Sequence, residues 1–197
     1  MGVASIREAQ KQMTRRLLLE KALELFEQKG YAATTVDDIA VAVGTTRATF
    51  YAHYPSKGHL MLVLVERSNR ILTEADVPPL RSVVESGDRS QIKLWLSRKF
   101  DQWADIRPYV MAAHQAAASE PEIQAALDGW FDDAIDNMQA GLDLADRFEE
   151  SSRRVRCALA FGELEFFSRR WMRLGWTVDR ETSLDLMVDN WCFLLAE

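Results

Sequence analysis

Apolar side chains recur along this chain at intervals of three and four residues, the period of an amphipathic helix, and no run of β-branched residues alternates in the two-residue period of a strand. Leu18, Ala22, Leu25 and Phe26 mark a first helix, closed by Lys29-Gly30-Tyr31. Val36, Ile39, Ala40 and Val43 give a short second helix one narrow apolar face behind Thr35, a good N-cap. Gly44 supplies the positive φ that ends a helix cheaply. Thr46 caps a third helix whose first turn displays Arg47, Ala48 and Thr49, with Phe50 turned to the core and Tyr51, His53 and Tyr54 following. A fourth helix starts near Ser56 and continues through Leu60, Val63, Leu64 and Arg67 until Asp76-Val77-Pro78-Pro79 interrupts it.

Downstream the same period continues. Ser90 can cap a helix through Ile92, Leu96 and Phe100, and Pro108 suits the first turn of the next, whose face includes Val110, Met111 and His114. Ser119-Glu120-Pro121-Glu122 has the form of a capping box and opens a helix past Leu127, Trp130, Phe131, Ile135 and Met138. Ser151-Ser152 starts a helix ending at Gly175, and Asp179 caps a last one carrying Leu184, Met187, Val188, Trp191 and Leu195. The expectation is an all-α chain of about nine helices, without internal repeats or low-complexity segments.

Two short helices around a glycine turn, with hydroxyl, basic and aromatic side chains crowded on the second, are how a helix-turn-helix presents itself to DNA. Its N-terminal turn is the part that meets base edges. Thr35 and Thr46 cap their helices, and their amides and hydroxyls remain able to meet phosphate there. His53 can donate to phosphate or pack beside Tyr54 at the end of the helix. Arg7, Lys11, Arg15 and Arg16 precede or begin the first helix; most are expected in solvent, and some can reach phosphate or the minor groove as an arm.

Ala22, Phe26, Gly30-Tyr31, Thr34-Thr35-Val36, Asp38-Ile39-Ala40, Gly44, Thr49, Tyr51, His53 and Ser56-Lys57 stand in the order and spacing of one known N-terminal domain. In these residues the chain resembles the TetR family of bacterial transcriptional regulators, over about fifty positions. The departures are Ala48 where many members have Gly, Gly58 where many have an acidic residue, and Tyr54 in place of Phe. The resemblance implies a three-helix DNA-binding head over residues 1–58, a connecting helix over about 56–74, and a helical effector-binding and dimerisation body over 59–197. It implies a DNA surface of Thr35, Thr46, Arg47, Ala48, Thr49, Tyr51, His53 and Lys57, with Tyr51 and Lys57 on phosphate and Arg47 and Ala48 facing bases.

Charge sharpens this division. The chain carries a formal charge of −6, yet residues 1–60 hold eight Lys or Arg against six Asp or Glu, and the remainder sixteen against twenty-four. A locally basic head on an acidic body is compatible with DNA binding, because phosphate neutralisation depends on nearby cations. No apolar stretch approaches eighteen residues and the N-terminus lacks a signal peptide's apolar core, so a cytoplasmic protein without membrane contact is expected. Cys157 and Cys192 fall within apolar helical patterns and are expected as buried free thiols; a redox pair would need an oxidising trigger.

The body is rich in bulky residues that at helical spacing are usually plain core. The resemblance nonetheless implies a small-molecule effector among its middle helices, for which Met111, His114, Trp130, Phe131, Met138 and Phe166 are the pocket candidates. His114 can hydrogen-bond a ligand or be satisfied within the core. The eighth helix has more than one apolar stripe, and Ala158 and Gly162 would let another helix approach closely. Its simplest use, resembling the family's, is a four-helix dimer interface including Ala158, Gly162, Met187 and Trp191. No cofactor, metal or catalytic residue is expected: Asp132, Asp133 and Asp136 are spaced as an exposed helical face, and His114 has no evident catalytic partner. The expected function is a homodimeric repressor that binds an inverted-repeat operator in double-stranded DNA and is released by a small apolar or aromatic effector. An effector-independent regulator or an activator with the same head is the alternative.

Overall fold

The computed structural model describes the backbone of residues 3–74 and 76–196, with side chains from Ile6 onward. Among the described residues there are nine helices and no strand: α1 (Val3–Lys29), α2 (Val36–Val43), α3 (Arg47–His53), α4 (Lys57–Glu74), α5 (Leu80–Ser86), α6 (Arg89–Ala117), α7 (Pro121–Leu144), α8 (Glu150–Leu174) and α9 (Arg180–Leu195). By proximity the chain divides into two compact units, Met1–Asn69 with Pro108–Leu127, and Arg70–Arg107 with Asp128–Glu197. Residue 58, the expected domain boundary, falls inside the first unit.

In the first unit α1 packs on α2 and α2 on α3. Leu18, Ala22, Phe26, Tyr31, Ile39, Ala40, Phe50, Tyr54, Leu60, Met61 and Leu64 form its core. In the second unit α8 packs on α9. Trp191 is fully buried there, stacks on Trp95 with ring centroids 5.5 Å apart, and donates from Nε1 to the Ala160 carbonyl at 3.1 Å. Phe100, Trp103, Phe167, Trp171 and Trp176 form a second aromatic cluster in the same unit. Gly141 of α7 lets α5 approach closely: a Cβ there would lie 2.5 Å from the Arg81 carbonyl oxygen.

Several local expectations are corrected. Pro108 lies inside α6 rather than opening a helix. Proline forfeits one hydrogen bond to the residue four back, and that residue, Ala104, is exposed, where water can replace the donor. The count stays at nine because of α5, a helix that was not expected, which opens directly after Pro79 and ends at Gly87 with φ +63°. Asp88 rather than Ser90 caps α6, accepting from the Gln91 amide at 2.9 Å. Ser119 makes no capping box with Glu122; its hydroxyl donates back to the Ala116 carbonyl. Arg7, Lys11, Arg15 and Arg16 all lie within α1, which is helical from Val3 and so begins before any of them.

Candidate nucleic-acid interface

The turn between α2 and α3 is built from local chemistry. Thr35 Oγ1 accepts from the Asp38 amide at 3.1 Å while Asp38 Oδ2 accepts from the Thr35 amide at 2.8 Å, a reciprocal capping box. Lys29, at the end of α1, bridges the same carboxylate at 2.7 Å. These bonds, the Lys29 contact foremost, hold the Asp38 carboxyl well below the usual range. Gly44 takes φ +73°, and the Thr45 amide donates to the Ala40 carbonyl at 2.9 Å, closing α2. Thr46 then caps α3 by accepting from the Thr49 amide at 3.2 Å.

Phe50 and Tyr54 anchor α3 from beneath: both are fully buried, and the Tyr54 hydroxyl donates to the Arg15 carbonyl at 3.2 Å while accepting from Arg15 Nε at 3.3 Å. With the inner face fixed, Thr46, Arg47, Ala48 and Tyr51 are exposed, and Thr49 and His53 are half-buried. Arg47 is held ready on the outside. Its guanidinium donates to Asp37 Oδ2 at 3.0 Å and to the Tyr51 hydroxyl at 3.2 Å, and lies 5.5 Å from the Tyr51 ring centroid. An exposed pair of this kind is weakly bound, so the guanidinium can exchange Asp37 for another acceptor at little cost. His53 has its pKa lowered by burial and by the positive charges of Lys11 and Arg15.

Lys57 is placed differently from the other expected contacts. Its ammonium donates to the Tyr31 and Thr34 carbonyls at 2.7 and 2.8 Å and sits 4.0 Å from the Tyr31 ring centroid. Burial lowers its pKa, partly offset by Glu120. Sequence reasoning named Tyr31, Thr34 and Glu120 without bringing them together around Lys57. The Tyr31 hydroxyl donates to Glu120 Oε1 at 2.8 Å, and the Tyr31 amide donates to Gln115 Oε1 at 2.9 Å. Burial, reinforced by the Glu120 bond, keeps the Tyr31 hydroxyl protonated well above its ordinary range. Glu120 lies 89 residues from Tyr31, so only the tertiary fold reveals the pair.

The body candidates separate. Met111 and His114 are half-buried in the first unit. Trp130 and Phe131 are half-buried in the second unit, with rings 5.4 and 5.3 Å from Phe161, and Met138 is fully buried. Phe166 corrects its assignment: it is 64% exposed, on an outward stripe of α8 with Val155 and Leu159. Met187 and Trp191, expected at a dimer interface, are buried in the chain's own core instead. A Cβ at Gly162 would meet only the Phe131 ring, at 4.0 Å, so the helix near that glycine is the chain's own α7. Ala158 is half-buried. Both cysteines are buried free thiols, and burial pushes the Cys157 thiol up to about 12. Among the described residues no helix is long and apolar enough to cross a membrane, and no group of three His, Cys, Asp or Glu can hold a metal ion.

A capped helix-turn-helix with its outer face exposed defines the class of protein. Residues 18–64, which span that motif, match the profile of the bacterial regulatory proteins of the tetR family, so this segment is a helix-turn-helix domain of the TetR type. It is 28% identical over 110 residues to the transcriptional regulator EthR of Mycobacterium tuberculosis, covering 54% of this chain and 49% of that protein. To the transcriptional regulator AcrR of Shigella flexneri it is 36% identical over 66 residues, covering 34% and 31% respectively. The chain thus spans about half the length of the first relative and a third of the second. The fold is shared along nearly its whole length with NalD, described as the secondary repressor of the MexAB-OprM multidrug efflux pump in Pseudomonas aeruginosa. That match has a TM-score of 0.69 at 22% identity and covers 93% of this chain and 97% of NalD. FadR, a fatty acid degradation regulator from Bacillus halodurans, gives a TM-score of 0.66 at 18% identity, covering 92% and 94%. The family is one of transcriptional regulators, a non-enzymatic class.

Proposed function

We propose that the protein is a cytoplasmic, homodimeric transcriptional repressor that reads an inverted-repeat operator and releases it on binding a small effector. The observation that carries the DNA reading is Arg47, exposed in the first turn of α3 and held by Asp37 and Tyr51 above a fully buried Phe50 and Tyr54. From there a guanidinium can fork onto the O6 and N7 of guanine, while Tyr51, Thr35, Thr46 and Thr49 serve phosphate and Ala48 leaves space at the base edge. Lys57 acts at one remove, by fixing the loop between α1 and α2.

Dimerisation is supported by the outer faces of α8 and α9. Val155, Leu159 and Phe166 form a stripe on α8, and Leu186 and Phe193 stand one heptad apart on α9, all more than half exposed. Apolar side chains exposed in this way on two helices that pack together are what a second copy would cover. Two recognition helices would then meet successive major grooves roughly 34–36 Å apart. Effector response is supported by the contacts that Gln115, in the last turn of α6, and the following Glu120 make with Tyr31 beside the DNA-reading helices. A ligand that displaces this end of α6 would disturb the loop between α1 and α2, and by linkage DNA and ligand must oppose each other equally.

DNase footprinting upstream of the protein's own gene, with random DNA as competitor, tests this reading. A protected near-palindrome that survives competition is the expected result. Protection that fades equally with random DNA would overturn it.

A further inference from the structure

The first fifteen residues of α1, 3–17, precede the segment that matches the family. They continue the helix without a break, so the face that α1 turns toward the head persists beyond the core. Leu18, Ala22 and Phe26 occupy that face and are buried. Stepping back along it by three and then four residues reaches Arg15, Lys11 and Arg7, all within about a third of the helix circumference. The apolar stripe thus becomes a basic one where the core ends.

This basic stripe begins at the far end of the recognition helix. Arg15 is bonded to Tyr54, the residue that closes α3, and lies 5.4 Å from its ring centroid. Lys11 and Arg15 both act on His53, the last residue of α3. The carboxylates of the same stretch are occupied elsewhere: Glu8 accepts from Gln12, and Glu20 pairs with Arg16 at 2.8 Å. Among the described residues Arg7 and Lys11 make no ion pair, and both are exposed. Arg7 to Arg15 covers roughly 12 Å of axis at 1.5 Å per residue, about the rise of three to four base pairs.

We propose that the amino-terminal half of α1 is a second DNA-contacting element, in which Arg7 and Lys11 grip the phosphate backbone flanking the half-site read by α3. The assignment rests on the DNA reading above and extends its footprint outward. Charge complementarity and continuity with α3 select duplex DNA as the occupant. The contacts are with phosphate, so they add affinity and salt dependence without reading sequence.

The test compares the wild type with an Arg7→Ala/Lys11→Ala double variant by fluorescence anisotropy. The probes are the DNA duplex protected in the footprint and the same duplex trimmed by about four base pairs at each end, so that only the inverted half-sites remain. The wild type should lose about tenfold in affinity on trimming. The variant should bind the long duplex about tenfold more weakly, ignore trimming, and show a salt slope shallower by roughly 0.9 per lost phosphate contact, about two per protomer. An Arg7→Lys/Lys11→Arg variant should restore wild-type behaviour. A double variant that keeps both the flank dependence and the full slope overturns the proposal while leaving the regulator reading intact. A wild type that fails to distinguish the protected duplex from random DNA overturns both.

Discussion

Replacing Lys57 with alanine separates two roles that one side chain position can serve. As a phosphate ligand, Lys57 would matter to DNA affinity and little to folding. The structure instead commits its ammonium to the Tyr31 and Thr34 carbonyls at 2.7 and 2.8 Å and to the Tyr31 ring. A hydrogen bond from a charged donor contributes about 1.5–3 kcal/mol, and a cation over an aromatic ring about 0.5–1 kcal/mol. Against these stands the desolvation of the ammonium, visible in its lowered pKa, and partial rehydration of the carbonyls once the side chain is removed. The net loss expected for Lys57→Ala is about 2–3 kcal/mol. At about 2–4 °C per kcal/mol for a chain of this size, the midpoint of thermal unfolding should fall by roughly 5–10 °C. Urea and thermal unfolding followed by circular dichroism measure it, with Lys57→Met as the control that keeps the stem and removes only the charge. Unfolding midpoints within a degree of the wild type, together with lost DNA affinity, would refute the argument and return Lys57 to the phosphate.

Arg47→Ala should weaken specific binding about tenfold to a hundredfold and relax base preference at one position, measured by competition among operator variants; an equal loss on random DNA would make Arg47 a phosphate ligand instead. Leu159→Glu or Phe166→Glu should give a folded monomer in sedimentation velocity with weak operator binding, whereas an unchanged sedimentation coefficient would remove α8 from the dimer interface. Gly141→Ala should destabilise the protein by about 3 kcal/mol in urea, because its Cβ would meet the Arg81 carbonyl oxygen at 2.5 Å. For Cys157, the folded pKa of about 12 exceeds the ordinary 9.0, so the native state keeps a proton that the unfolded chain releases. Its contribution to stability is therefore intact below pH 9 and lost as the pH rises from 9 toward 12, at up to about 1.4 kcal/mol per unit. Urea midpoints for wild type and Cys157→Ala should diverge in slope above pH 9, and parallel profiles would contradict the shift.

The head was legible because its determinants are local. Thr35 with Asp38, Gly44 with Ala40, and Thr46 with Thr49 act across three or four residues, and a short-range pattern encodes them directly. The body was legible only in its period. Pro108 was expected to open a helix because proline usually does, yet the cost of its missing donor depends on whether the carbonyl at Ala104 is wet, which is a tertiary property. The apolar positions of α9 announced a buried face without saying what buries it. Met187 and Trp191 proved to be buried, Trp191 against Trp95 and the Ala160 carbonyl of α8, leaving Leu186 and Phe193 exposed. Helical periodicity identifies stripes, and a helix with two of them needs the packed fold to assign each one.

Gly58 shows the same dependence within the head. Many members of the family carry an acidic residue at this position, beside the lysine that opens the fourth helix. Here the carboxylate comes from Glu120, in the turn between α6 and α7, and a Cβ on Gly58 would lie 3.1 Å from its Oε2. The glycine therefore admits a negative charge from a distant segment, where it accepts from Tyr31 and acts on Lys57. A carboxylate on α4 itself would move with the head whatever the rest of the chain did. One supplied by residue 120 acts on the loop between α1 and α2 only while the α6–α7 turn stays in place. The Glu120 carboxylate beside Gly58 thus ties the loop between α1 and α2 to the segment that follows Pro108.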